Sequence, residues 1–466
     1  MQREISPLDG RYRPQVGRLG TYFSEFALMG ARCEIELRYA LALEETRIFP
    51  PLSPKERTRI KRAIAGFDDA AYDRIKAIES RVRHDVKACE IFLRETLSLD
   101  RPNRIHFALT SEDVNNLAYG LLLSRYLASE QRPQLRRLVE ALVDRIERWK
   151  EIPFPARTHG QPASPTTAGK EMAVFLSRLL RQIRQLDAFR FRGKLNGATG
   201  NYASFTVAAP TVDWEEFSAQ FVRSLGLEPN PCTTQVEDHD GLAEYFAIVQ
   251  RIQSIVLDLD LDCWEYISRG DFVQRPAQEE VGSSTMPHKV NPVQFETSEG
   301  NLAVSNALLA VLSDRLTRSR MQRDLSGSTM KRAIGAALAH GYLAIEETLS
   351  GLERISVDAD ALTHRVDSAP EVLAEAIQTT LRLEASDDPF EQLREATRGR
   401  SISDAALRGL IDRLPIAPET RARLRALRPH EYIGQSVQIC NAALDAARAW
   451  LQESPEPTIA PDTSKH

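Results

Sequence analysis

Between Thr166 and Lys194 the chain carries Met172, Phe175, Leu176, Leu179, Ile183, Leu186 and Phe189 at intervals of three or four residues. No Gly or Pro falls between Gly169 and Gly193. That spacing lines one face of a helix with apolar side chains. If all of it is helical, the segment is about 35 Å long. Gly241–Ser268 repeats the pattern through Leu242, Phe246, Val249, Ile252, Val256, Leu259 and Ile267. So does Pro133–Trp149, where Pro133 suits a first helical turn. Further helices are predicted at Phe295–Leu312 and Thr329–Leu352. Helices this long, joined by polar loops, predict an all-α bundle and not a βαβ fold. Tyr202–Val207, YASFTV, alternates briefly and reads either as a strand or as an irregular loop. No GxGxxG follows a strand, and neither a P-loop nor a fixed-period repeat is present.

A chain of 466 residues suggests about two to four domains. Periodicity and composition divide it into an N-terminal helical region, 1–111, a central long-helix bundle, 112–367, and a C-terminal helical region, 368–452. The polar, proline-rich end, 453–466, is expected to be disordered. The net charge of −5 argues against a nucleic-acid binder. No apolar run approaches the roughly 20 residues of a membrane helix, and the start lacks the apolar stretch of a secretory leader. Cys33, Cys89, Cys232, Cys263 and Cys440 are scattered, odd in number and without a C-x-x-C pair. A reduced, cytoplasmic protein is the simplest expectation.

Several segments stand out for their chemistry. Gln278–Pro292, QEEVGSSTMPHKVNP, combines a Gly-Ser-Ser opening with Lys289 and Asn291. It can present N–H groups and a cation to an anion, or serve as a plain surface loop. In RTHGQPASP, Arg157–Pro165, His159 beside Gly160 can act as acid or base or remain merely solvated. RVRHDVKACE, Arg81–Glu90, gathers cations around His84 and Asp85, either to hold an anion or as a solvated helix face. Thr110 and Ser111, followed by Glu112 and Asp113, look like a helix start whose hydroxyls cap or bind. In TTQVEDHD, Thr233–Asp240, the acidic and His side chains are consecutive, and a helix would splay them. The basic stretch Arg315–Lys331 can grip anions but lacks the interleaved aromatics of a nucleic-acid surface.

Taken together these motifs are more specific than any one of them. GSSTMPHKVNP resembles the signature loop of the fumarase/aspartase superfamily. RTHGQPASP, HDVK and HFALTSEDVNN, in this order and spacing, resemble the adenylosuccinate lyase family. SPLDGRY, TTQVEDHD and QRDLSGST are similar to its bacterial branch, typified by the enterobacterial enzymes. The resemblance spans about Ser6 to Ala446. It implies an all-α, three-domain subunit that assembles into a homotetramer, with each active site built from three subunits. It implies β-elimination of fumarate from adenylosuccinate, giving AMP, and from SAICAR, giving AICAR, with no metal or organic cofactor.

The resemblance also assigns roles by motif position. Ser283 is the general base and His159 the general acid. Arg11 and Tyr12 form an early substrate contact, and Arg83, His84 and Asp85 a second. Thr110 and Ser111 form a third and Gln235 a fourth. Ser284, Lys289 and Asn291 lie on the signature loop, with Thr297 just beyond it. Arg323, Ser328 and Arg332 come from the basic stretch. Arg83 and Thr297 each stand where close relatives carry Asn, which implies altered contacts there. Three other readings compete: a sister lyase acting on argininosuccinate, a non-catalytic helical scaffold, and a nucleic-acid-binding helical module.

Overall fold

The computed structural model describes residues 4–276, 286, 288–384 and 402–453. After two single-turn helices, Arg13–Val16 and Gly20–Phe23, α1 (Glu25–Ala42) begins with Ser24 Oγ accepting the Ala27 N–H at 3.1 Å. This helix is apolar on two faces. Ala27, Ala31, Ile35 and Tyr39 join the main core, while Met29, Cys33, Leu37 and Ala40 join a smaller N-terminal core. That smaller core is completed by α2 (Pro54–Ala65), α3 (Asp69–Val82) and α4 (Asp85–Leu97). The chain then enters the bundle through α5 (Ser111–Tyr126) and α6 (Arg132–Trp149), with Pro133 in the first turn as predicted.

Four two-residue strands follow: β1 (Pro153–Phe154), β2 (Arg157–Thr158), β3 (Gln161–Pro162) and β4 (Thr166–Thr167). β1 pairs with β4 and β2 with β3, both antiparallel. These pairs only brace the loop that leads into α7 (Ala168–Ala188), so the all-α class holds. Thr167 caps α7, its Oγ1 accepting the Lys170 N–H at 3.2 Å. The predicted apolar face of α7 is buried from Met172 to Leu186.

The long helices α8 (Asp240–Ser268) and α9 (Val293–Leu316) pack side by side. A short helix, α10 (Ser326–Lys331), precedes α11 (Ile334–Arg354), which packs along α9 and against α6. Residues 374–384 and 404–426 enclose a third apolar cluster around Ile377, Leu381, Leu407 and Ile411. The last helix, α12 (Ser436–Glu453), returns to the main core with Cys440, Leu444, Ala447 and Trp450. There Trp450 donates to Asp187 at 2.8 Å.

Two local expectations change. The YASFTV segment is neither strand nor irregular loop but a short helix, Ala203–Ala208, started by Asn201 Oδ1 accepting the Ala203 N–H at 3.2 Å. Its alternation reflects one buried side chain, Phe205, set edge-to-face against Trp214 with ring centroids 5.0 Å apart. The helix expected at Thr329–Leu352 is interrupted at Arg332 and Ala333. Beyond the break Gly335 closes on Phe23, where a Cβ would lie 2.6 Å from the Phe23 Cβ.

Candidate active site

The α3–α4 junction is a sharp reversal at Arg83. Its φ of 53° lies in the left-handed region, and its N–H bonds the Glu79 carbonyl at 2.7 Å. Few non-glycine residues adopt that conformation without a compensating role. His84 then caps α4, its Nδ1 accepting the Lys87 N–H at 3.2 Å. With Nδ1 used as an acceptor, Nε2 is the ring's donor. Asp85, one residue on, pairs with Arg32 at 2.8 Å. Burial would raise the Asp85 carboxyl, but Arg32 and the Val86 N–H outweigh it and hold it below the usual carboxylate range.

At the start of α5, Asp113 Oδ2 accepts the Thr110 N–H at 2.8 Å. The other Asp113 oxygen meets Lys194 Nζ at 2.8 Å, with both side chains fully buried. This anchors the turn that presents Ser111. The interruption between α10 and α11 turns Ser328 and Arg332 the same way. Arg83, His84, Asp85, Ser111, Arg323, Ser328 and Arg332 consequently line one cleft of about 640 Å³. Gln235 reaches it indirectly, its Oε1 accepting from Arg323 Nη1 at 3.0 Å. Arg83 and Arg332 form no ion pair among the described residues, which leaves the cleft receptive to anions.

Other predicted residues sit apart from this cleft. Thr110 is the helix-capping residue behind Ser111. His159 and Gly160 form the two-residue turn of the β2–β3 hairpin, with φ values of 52° and 72°. Two positive φ values match the type I′ turn favoured by tight hairpins. Arg157 Nη1 bonds the Gly160 carbonyl across it at 2.9 Å. The His159 side chain is exposed and makes no hydrogen bond among the described residues. Tyr12 begins the Arg13–Val16 turn that packs on α11, with the Arg11 guanidinium 5.9 Å from its ring. Lys289 is exposed, and the Asn291 carbonyl accepts from Gln274 at 3.2 Å. Thr297 lies in the second turn of α9, its carbonyl accepting from Asn301 at 2.8 Å. Ser283 and Ser284 lie outside the described residues.

Among the cleft residues that were not predicted are Arg32, Asn115, Tyr119 and Lys331, together with the acids Glu25 and Glu79. Arg32 sits inside an amphipathic helix and Lys331 inside a basic stretch, so only their burial distinguishes them. Beneath them Glu112, read from the sequence as a first-turn acid, is buried and pairs with Lys331 at 2.5 Å. Burial favours its neutral form, yet Lys331 and then Arg323 hold its carboxyl down at about 2. Nearby, burial followed by the Lys331 charge pushes His239 down to about 3. Glu237 and Asp238 accept from Asn230 at 3.1 and 2.7 Å just before α8. Among the described residues no group of three or more His, Cys, Asp or Glu side chains could hold a metal ion. Nor is any described helix long and apolar enough to cross a membrane.

Comparison with known proteins adds an independent line. A lyase family model matches residues 23–305, and an adenylosuccinate lyase C-terminal model matches 319–433. Adenylosuccinate lyase from Haemophilus influenzae is 43% identical over 443 residues, covering 93% of this chain and 97% of the relative. The Escherichia coli K12 adenylosuccinate lyase is 42% identical over 442 residues, with the same coverage. Among solved structures, a fumarate lyase from Mesorhizobium sp. BNC1 superposes with a TM-score of 0.76 at 18% identity, covering 92% of this chain and 97% of that one. A 3-carboxy-cis,cis-muconate lactonizing enzyme from Pseudomonas putida gives 0.76 at 20% identity, covering 96% and 100%. At those identities the two structures bear on the fold alone.

Proposed function

This chain belongs to the adenylosuccinate lyase family of the fumarase/aspartase superfamily, and from that membership we propose that it eliminates fumarate from adenylosuccinate, leaving AMP, and from SAICAR, leaving AICAR. The cleft carries this reading. Arg83 reaches it from the α3–α4 junction and Arg323 and Arg332 from either side of α10, and the substrate brings a phosphate and two carboxylates.

In the elimination, Ser283 takes the proton from the carbon next to a carboxylate. The resulting carbanion places its charge on that carboxylate, which needs preorganised donors and cations. As the carbon–nitrogen bond breaks, its electrons go to the departing nitrogen. The carbanion pair becomes the double bond of fumarate, and His159 protonates the nitrogen. A serine is a poor base at its ordinary pKa, so loop N–H groups and Lys289 stabilise its alkoxide. His84 orients the substrate and donates from Nε2 to the phosphate. The exposed, unbonded His159 ring supports its assignment, because nothing among the described residues competes for it.

His159, Lys289 and Asn291 do not line the cleft of their own chain. That supports a homotetramer in which three subunits complete each site. α9 supports it further: Phe295, Leu302, Leu309 and Leu312 face the core, while Gly300, Ala303, Val304, Ala307 and Val311 face outward. A helix that is apolar on both sides calls for a second partner, and a further copy of this chain supplies one. Three apolar clusters support a three-part division, with α1 shared between the first two cores and α12 crossing back to the central bundle. Five free thiols fit a cytoplasmic setting.

The test is fumarate release by the purified protein, with adenylosuccinate and argininosuccinate side by side and no metal added. Release from adenylosuccinate alone is expected. Release from argininosuccinate alone would keep the chemistry and overturn the substrate. Release from neither would bring forward the non-catalytic scaffold.

A further inference from the structure

The elimination outlined above gives no task to the buried charges under the cleft. One Glu112 oxygen meets the Lys331 ammonium at 2.5 Å, and both side chains are almost completely buried. The other oxygen lies 3.4 Å from Arg323 Nη2 and 3.5 Å from Asn115 Nδ2. Arg323 continues to Gln235, which donates to the Ala198 carbonyl at 2.9 Å. In the opposite direction Asn115 accepts from Arg32 Nε at 2.8 Å, and Arg32 pairs with Asp85 at 2.8 Å. Polar contacts thus run unbroken beneath the cleft from Asp85 to Gln235.

The charges along this chain do not cancel. Arg32 and Asp85 offset each other, but Glu112 alone faces two cations, Lys331 and Arg323. One positive charge is left over, and both cations line the cleft. Unpaired charge at a largely buried site is costly until an anion arrives. Without the carboxylate between them the two cations would repel. With it, Arg323 is held on one side by Glu112 and on the other by Gln235, so its donors are aimed before substrate binds.

We propose that Glu112 is a positioning residue, which fixes Arg323 and Lys331 at one spacing so that their surplus positive charge receives an anionic oxygen, carboxylate or phosphate, of the bound substrate. This rests on the proposed elimination from a succinyl nucleotide.

The experiment compares the parent, Glu112→Gln, and the double variant Glu112→Gln with Lys331→Met, which removes the buried Glu112–Lys331 pair together and leaves Arg323 as the one cation there. Fumarate release gives kcat and KM. Calorimetry with AMP and with fumarate gives affinities that need no turnover. Glu112→Gln is expected to lose about 30-fold or more in kcat/KM, the scale of breaking a buried charge contact. The double variant should fold and assemble like the parent, yet keep a KM raised by about tenfold or more. A loss of AMP affinity assigns the surplus charge to phosphate, and a loss of fumarate affinity assigns it to carboxylate. Parental KM and affinities in the double variant would make Glu112 merely structural and overturn the proposal, as would a double variant that does not fold. A parent that binds both compounds but releases no fumarate would sink the proposed activity and leave the positioning claim to the affinities. A parent that binds neither would sink both.

Discussion

Under the cleft, Arg32, Arg323 and Lys331 are each held by a carboxylate of their own chain, whereas His159 stands at the tip of a two-residue turn with no side-chain partner among the described residues. The first region is finished within one subunit. Its cations are fixed before any ligand arrives, at the cost of burying charge. The second is only presented, on a hairpin closed by two paired strands, with its imidazole free of any partner among the described residues. Anion recognition must be preorganised to be strong, since ordering long cationic side chains costs entropy. In the proposed elimination a proton donor has to meet an atom that lies elsewhere, and outward display of His159 leaves it to be completed by a further copy of the chain.

That contrast can be broken most directly at His159. His159→Asn keeps a side chain that tolerates positive φ but removes the acid, so kcat should fall by about 10²- to 10⁴-fold. Its KM and thermal midpoint should stay near parental, while Arg332→Met in the cleft should chiefly raise KM. If steady-state kinetics gave both variants the same pattern, the two regions would not differ as described.

Next comes the anchor of the cleft. Lys194→Met leaves the Asp113 carboxylate buried without its cation, a loss of about 3–5 kcal/mol by the usual scale for breaking buried pairs. Denaturant unfolding should show that loss, and an unchanged midpoint would mean the pair does not secure the α5 start. On the side of assembly, Val311→Glu puts a charge on the outward stripe of α9. It should dissociate the oligomer in light scattering and cut turnover by about tenfold or more, while AMP still binds the cleft. An intact oligomer would remove this face from the interface.

The smallest expected effect concerns His106, which precedes the Thr110–Ser111 turn with φ of 62° and meets Glu36 at 2.5 Å. Burial opposes the charge on His106, but the Glu36 carboxylate outweighs it and raises the ring above the ordinary histidine value. A raised folded value means the pair contributes fully below about pH 6.5. The contribution is lost as pH rises through the folded value. The midpoint difference between the parent and His106→Asn should therefore be largest in mild acid and shrink in alkali. A difference that grew with pH would reverse the assignment.

Much of the bundle was legible because burial on one face writes a period of 3.6 into α7 and α8, and both helices end within a few residues of that pattern. The break at Arg332 was not, because Met330–Leu338 is made of good helix formers apart from Gly335, and contact with Phe23 lies far away in sequence. At the site, Thr110 and Ser111 carried local signals of a helix start, His84 and Asp85 the cations gathered around them, and the signature loop its composition. Glu112 and Lys331 carried none: an acid in a first turn and a lysine in a basic run are ordinary, and only tertiary packing buries them together. α1 shows the same limit, since an apolar pattern on two faces does not say which core each face joins.

The proposed site joins the cleft of one subunit to the hairpin of another. Co-expressing His159→Asn with Arg332→Met, each nearly inactive at low substrate, tests it directly. Random mixing in a symmetric oligomer should return about one quarter of the parental rate of fumarate release from adenylosuccinate, since that share of sites holds both intact residues. Mixed oligomers that form but stay as inactive as the separate variants would contradict a site shared between subunits.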